Sequence, residues 1–251
     1  MRPLSGKNAL ISGAANGIGR DCAIHLAKLG ANIAAVDRDG DGLASLSELV
    51  KNEGQQITTV AGDCLDKKVI ERFVSKTRDT FGSFDILVNN LGQSARENKS
   101  EFVESDESTW RFVVDISLFA TMRLTRLIAP EMKKQGAGRI INISSDAALV
   151  GDKCFVDYSA AKSGLIGFTR SLARELAPDG VTVNTICFGT VATNAHKHLD
   201  PVVLADMKRQ VPAGYIANAE QVVPIIGFLA GEGADYITGQ SIAVNGGRWF
   251  L

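Results

Sequence analysis

The sequence predicts a single α/β domain over residues 1–251, built as a Rossmann-like, doubly wound, seven-stranded parallel sheet. Three observations predict it. Seven short apolar runs alternate with longer helical patterns along the chain. The runs are continuously apolar rather than alternating, as in strands covered on both faces. A glycine-rich turn joins the first run to the first helical pattern, the place where such sheets bind a nucleotide. A length of 251 residues suits one large domain, and no Pro/Gly/Ser linker, internal repeat or low-complexity segment divides it.

The strand candidates are NALIS (8–12), NIAAVD (32–37), ITTVAG (57–62), DILVNN (85–90), RIINIS (139–144), VTVNTI (181–186) and SIAVN (241–245). The first helical pattern, GRDCAIHLAKLG (19–30), stops at Gly30, a residue suited to the left-handed turn that ends helices. Helical patterns near 110–133 and 158–176 carry apolar stripes, the second including Leu165, Phe168, Leu172 and Leu176. One helix covering one sheet face cannot bury both stripes completely. Met122, Leu124 and Leu127 read as core or subunit contact. The segment from about 188 to 215 breaks the rhythm. It follows a strand end, where a flap over a site belongs.

Composition narrows the function classes. The net charge of −1 offers no basic balance for nucleic acid or an anionic membrane. The N-terminal apolar run is too short for a signal peptide, and no stretch approaches the ~18 apolar residues of a membrane span. Cys22, Cys64, Cys154 and Cys187 are scattered, with no CxxC spacing, which disfavours zinc and a disulfide framework. The chain therefore reads as cytoplasmic and reduced, with no metal. His196 and His198 could ligate a metal, but no third ligand is suggested, and a solvated loop is the simpler reading. Lys208 and Arg209 leave room for an anionic substrate tail. Cys154 reads as a pocket-wall residue because no basic partner activates it.

ISGAANGIGR (11–20) spaces Gly13, Gly17 and Gly19 as GxxxGxG. Small residues let the turn tighten and the backbone approach a pyrophosphate at a helix N-terminus, where free N–H groups favour an anion. Asp37 ends the second candidate strand. A carboxylate there accepts hydrogen bonds from ribose hydroxyls and repels a 2′-phosphate. Arg38 could attract that phosphate, but Asn16, beside Gly17, is not basic. The balance favours NAD over NADP.

VDYSAAKSG (156–164) places Tyr158 four residues before Lys162, on one face of a helix. Ser145, in NISSDAA (142–148), falls at the carboxyl edge of the sheet with them. A tyrosine ordinarily titrates near about 10, and a neighbouring ammonium favours its phenolate. The phenol can then take or give a carbinol proton while Ser145 orients the oxygen.

On these residues the chain resembles the short-chain dehydrogenase/reductase family, of the single-domain kind. SGAANGIG (12–19), including Ile18, resembles that family's TGxxxGIG; NNLG (89–92) its NNAG; CFGTVAT (187–193) its PGxxxT; and YITGQSIAVNGG (236–247) its C-terminal strand. GDCLD (62–66) carries Asp63 and Cys64 where the family holds the adenine ring. The resemblance implies hydride exchange between a nicotinamide and an alcohol or ketone. It implies Ser145, Tyr158 and Lys162 as the catalytic set, with Lys162 also holding the nicotinamide ribose. Asn90 would lie near the adenosine ribose, and Val191 and Thr193 near the carboxamide and phosphate. A homotetramer is implied, with a dimer second.

Three residues depart from the family pattern. Ser12 replaces a Thr and keeps the hydroxyl. Phe188 replaces a Pro and frees φ before the flap. Ser117, in VVDISLFA (113–120), stands where the family has an Asn that helps hold a water joining the lysine to solvent. The substitution is tolerable if a local helix distortion lets a backbone carbonyl hold that water. Within the family, a 3-oxoacyl-thioester reductase and a cyclic or aromatic alcohol dehydrogenase are the alternative substrate readings. A non-catalytic dinucleotide-binding regulator is the alternative outside it.

Overall fold

The computed structural model describes residues 2–192 and 201–250, apart from the side chains of residues 96 and 201. In chain order the elements are β1 (Asn8–Ser12), α1 (Gly17–Lys28), β2 (Asn32–Asp37), α2 (Gly40–Asn52), β3 (Ile57–Ala61), α3 (Lys67–Phe81) and β4 (Ile86–Asn89). Then follow α4 (Glu107–Val114), a π-helical turn (Asp115–Phe119), α5 (Ala120–Gln135), β5 (Gly138–Ser145), α6 (Ala147–Val150), α7 (Val156–Leu176) and β6 (Val181–Phe188). The chain closes with β7 (Val191–Ala192), α8 (Pro201–Arg209), β8 (Ala217–Asn218), α9 (Ala219–Val222), α10 (Pro224–Ala230) and β9 (Ser241–Val244).

All seven candidate strands form one parallel sheet, in the order β3-β2-β1-β4-β5-β6-β9. The order reverses between β1 and β4, so a crevice opens there at the carboxyl edge. β7 and β8 add a short parallel pair outside the sheet. It lies within and just beyond the stretch read as a flap.

The continuous apolar runs follow from two covered faces. Successive residues point to opposite sides, and each side has its own core. Ile11, Ile33, Val88, Ile141 and Ile186 pack with Leu26 and Leu43 of α1 and α2 and Ile226 of α10. Their neighbours Leu10, Ala34, Leu87, Ile140 and Val183 pack with Phe73, Ile128 and Leu176 of α3, α5 and α7.

The helix expected near 110–133 is interrupted. The backbone N–H of Ala120 donates to the carbonyl of Asp115, one residue wider than an α turn. The first helix ends at Lys28, and Gly30 follows it with φ of +105°. Leu165 and Leu176 are buried in the core rather than left on a surface stripe, whereas Phe119, Met122 and Leu127 are 38–44% exposed. The exposed apolar face is therefore carried by the π turn and α5. No helix among the described residues is long and apolar enough to cross a membrane.

Candidate active site

The turn after β1 is shaped by what its glycines leave out. Gly13 and Gly17 have φ of +66° and +53°, a region costly for a side chain. A Cβ on Gly19 would lie 2.0 Å from the Gly13 carbonyl oxygen and 2.5 Å from Asn90 Nδ2. Asn90 Nδ2 donates to that carbonyl at 2.9 Å, and its backbone N–H donates to Ser12 Oγ at 3.2 Å. Asn90 thus braces the turn from β4, and Ser12 keeps a working hydroxyl. Ile18 packs half-buried against the core.

α1 begins at this turn without a side-chain cap and without an acidic residue in its first turn. By contrast, α2, α3 and α4 are capped by Asp39, Asp66 and Asp106. The free N–H groups and positive end of α1 therefore face the crevice, as a pyrophosphate requires. The site fits a dinucleotide: a close backbone approach, an uncapped helix end, and a carboxylate at the end of the neighbouring strand.

That carboxylate, Asp37, accepts from the backbone N–H of Ala15 at 2.9 Å and of Asp39 at 3.0 Å, locking the turn to the end of β2. Asn16 is turned onto a second carboxylate, donating from Nδ2 to Asp39 Oδ2 at 2.8 Å. Hydrogen bonds from Gly42 and Asn16 hold the Asp39 carboxyl below the usual carboxylate range. Two carboxylates therefore gather at the end of β2, while Arg38 is exposed. Asp63 accepts from the N–H of Leu65 at 2.9 Å, and Cys64 is buried with its thiol pushed up to about 12, mainly by burial.

Ser145 ends β5, and Tyr158 and Lys162 lie in the first turns of α7, which packs beside that strand. Lys162 is 3% exposed. Its Nζ donates to the carbonyls of Leu91 at 3.0 Å and Ile143 at 2.8 Å, and lies 5.8 Å from the Tyr158 ring centroid. Burial pushes the Lys162 ammonium down to about 8. Ser145 Oγ accepts from the N–H of Ala147 at 3.2 Å. A Cβ on Gly92 would lie 2.5 Å from Lys162 Nζ and 3.4 Å from Ser117 Oγ, so the glycine of NNLG marks the point where these two polar groups converge.

Ser117 sits in the π turn, fully buried, and its Oγ has no hydrogen-bond partner among the described residues. Its hydroxyl does not bond back along the helix. The distortion anticipated at this position is present, and π turns release carbonyls from the regular helical pattern.

The sequence reading missed a buried polar row beneath the site. Asn89 Nδ2 donates to Thr125 Oγ1 at 3.0 Å and to Asn142 Oδ1 at 2.8 Å; Asn142 Nδ2 donates to Thr169 Oγ1 at 2.8 Å; and Thr169 and Thr185 hydroxyls share a 2.6 Å bond. All five residues are 0–1% exposed. An Asn inside each of two apolar runs was the available signal.

Cys154, with φ of +65°, and Ala95, with φ of +44°, line a small cavity with Ser94, Trp110 and Asp157. Ala95 also packs in one apolar cluster with Ala161 and Tyr158. Val191 is buried at the start of β7. Thr193, His196, Lys197 and His198 lie outside the described residues. Among the described residues no group of three or more His, Cys, Asp or Glu gathers as a metal site, and all four cysteines are free.

The sheet reversal, the glycine turn and the Tyr–Lys pair define a nicotinamide-dinucleotide oxidoreductase. Residues 13–248 match the family described as enoyl-(acyl carrier protein) reductase. The chain is 36% identical to the 3-oxoacyl-(acyl-carrier-protein) reductase FabG of Salmonella typhimurium over 246 residues, covering 98% of each. It is 37% identical to FabG of Vibrio harveyi over 248 residues, covering 99% of each. A solved structure described as a short-chain alcohol dehydrogenase, from Sinorhizobium meliloti 1021, superposes with a TM-score of 0.91 at 32% identity, over 98% of this chain and 97% of that one. The chain belongs to the short-chain dehydrogenase/reductase family.

Proposed function

We propose that the protein is an NAD(H)-dependent oxidoreductase acting on a secondary alcohol or its ketone. One observation carries this reading: a buried ammonium, Lys162, pinned by two backbone carbonyls and standing beside the Tyr158 ring at the carboxyl edge of the sheet. When bound, the dinucleotide supplies or accepts the hydride. Gly13, Asn16, Gly17, Ile18 and Gly19 would hold its pyrophosphate side, Asp37 its ribose, and Asp63 and Cys64 its adenine. Asn90 would hold the adenosine side, and Val191 and Thr193 the nicotinamide side. Asp37 and Asp39 support NAD over NADP.

Tyr158 gives a proton to the ketone oxygen in reduction, or takes one from the alcohol in oxidation. Ser145 donates a hydrogen bond to the same oxygen and orients it. Lys162 favours the phenolate by its charge, and a water held near the π turn passes the proton to solvent. The names of the FabG relatives favour a 3-oxoacyl thioester, and the name of the Sinorhizobium meliloti structure favours a simpler alcohol; both contain the same reacting carbon. We further infer a cytoplasmic homotetramer, supported by the exposed Phe119, Met122 and Leu127, which light scattering at micromolar concentration checks.

The test is Tyr158→Phe assayed with NADH against 3-oxoacyl-coenzyme A, cyclic ketones and linear ketones. Turnover is expected to fall by about 10²-fold or more, the scale of a lost general acid, with NADH binding near normal by fluorescence. Retained turnover would refute the role of Tyr158. Stoichiometric NADH binding without turnover of any substrate in the unmutated protein would favour the regulator.

A further inference from the structure

We propose that Arg248 is a positioning residue that clamps the end of the Ser145 strand to the segment following α8, so that the C-terminal tail sets the shape of the ketone site. The proposal rests on reading Ser145 as catalytic and the described residues 201–215 as part of a substrate flap.

Asp146 directly follows Ser145 and is 4% exposed. Its N–H donates to the Phe188 carbonyl at 2.8 Å, tying the ends of β5 and β6 together. Its carboxylate meets one guanidinium. Arg248 Nη1 donates to Asp146 Oδ2 at 3.3 Å, and Arg248 Nη2 donates to Gln210 Oε1 at 3.1 Å. Gln210 is the first residue after α8. One planar fork therefore grips the catalytic strand end with one arm and the candidate flap with the other. Because a guanidinium is rigid, it fixes the spacing between the two elements, which a flexible ammonium would not.

The tail that carries Arg248 is held on both sides. Gly189 N–H donates to the Val244 carbonyl at 3.1 Å, and Ala213 N–H donates to the Gly246 carbonyl at 3.0 Å. A Cβ on Gly189 would lie 2.7 Å from Asn245 Cβ and 3.3 Å from Asp146 Oδ2. A Cβ on Gly246 would lie 2.6 Å from Val211 Cγ1. No side chain fits at either crossing. Buried ion pairs contribute little net stability, and their best-attested use is to specify one arrangement over others. Here the arrangement specified is the distance from Ser145 to the flap.

The experiment uses three variants of the full chain. Gln210→Leu, at an exposed residue, cuts the flap arm together with the Gln210 Nε2 hydrogen bond to Asp206 Oδ2 at 3.2 Å, which the other two variants keep. Asp146→Asn with Arg248→Met removes both charges, leaving no carboxylate buried alone. Arg248→Lys keeps the charge and loses the fork. Each is assayed with NADH and ethyl acetoacetate, and each is followed by amide hydrogen exchange. The KM for ethyl acetoacetate is expected to rise about five- to tenfold in all three, with kcat falling less than threefold and the KM for NADH unchanged, the pattern of lost substrate positioning. Exchange in residues 201–209 is expected to quicken even without ligand, an arm that needs no turnover. Unchanged exchange in 201–209, or an unchanged KM, overturns the proposal. In the unmutated protein, NADH with ethyl acetoacetate should slow exchange in 201–209. Its failure to do so overturns the flap reading itself; protection there, with variants that behave as the parent, overturns the assignment of Arg248 alone.

Discussion

Gly92 and Lys162 are mutually exclusive with a side chain at the first position: a Cβ on Gly92 would lie 2.5 Å from the Lys162 Nζ. The ammonium is already pinned to the carbonyls of Leu91 and Ile143 and cannot yield without losing them. Gly92→Ala is therefore expected to destabilise the fold by about 1–3 kcal/mol, the usual cost of overpacking. Turnover should fall at least about tenfold as Lys162 moves from Tyr158. A urea melt alongside a kcat measurement checks both, and full activity in the variant would show that the lysine has room.

On the proposed cofactor placement, Asp37 and Asp39 put two carboxylates where a 2′-phosphate would sit. NADH should bind more tightly than NADPH, and Asp37→Ala should narrow the gap. Asp37 also holds the Ala15 and Asp39 backbone N–H groups. The variant should therefore weaken NADH binding as well as admit NADPH. Titration by fluorescence measures both affinities; equal affinities in the unmutated protein contradict the assignment.

Lys162 makes stability depend on pH. Burial lowers it from 10.5 to about 8. Between those values the unfolded chain holds a proton that the folded chain has released, so stability rises with pH across that window. Below it, the cost of burying the charge is constant. Lys162→Met carries no such cost, so its stability relative to the parent should drop by roughly 3 kcal/mol between pH 7 and pH 10.5. Denaturant melts of cofactor-free protein at several pH values decide it. A pH-independent difference would mean that the two carbonyl hydrogen bonds offset burial and keep the lysine near its ordinary value.

If a carbonyl of the π turn, rather than the Ser117 side chain, holds the relay water, Ser117 is tolerated. Ser117→Asn is expected to change turnover by less than about tenfold, under ~1.4 kcal/mol of barrier. The measurement is a pH–rate profile of both proteins with a solvent deuterium comparison. A large rate gain for the variant, with loss of the solvent isotope effect, would show that the native relay is impaired.

The strands were legible because a sheet covered on both faces leaves few positions for polar residues, so each run announces itself; their ends moved by only a residue or two. Tyr158 and Lys162 were legible because helical spacing puts them on one face regardless of tertiary context. The π turn was not. It carries no Pro or Gly, and the apolar pattern of 110–133 continues through it. The partners of Asn89 and Asn142 were equally hidden, since an Asn in a strand shows a need for hydrogen bonds but not who meets it. The Asp146–Arg248 pair joins residues far apart in the chain, and nothing local to either one marks the other.

The row from Thr125 through Asn89, Asn142 and Thr169 to Thr185 has a consequence for assembly of the sheet. Asn89 stands opposite Asn142, and Asn142 opposite Thr185. A slip of one residue between any two of these strands would turn an amide to the other face, into an apolar layer, and leave its neighbours without partners. Purely apolar strands would tolerate such slips far better. The row therefore works as a key that admits one alignment of three strands. By fixing that alignment it makes residues 90–92 and Ser145 emerge at matching heights, where a single bound molecule can touch both.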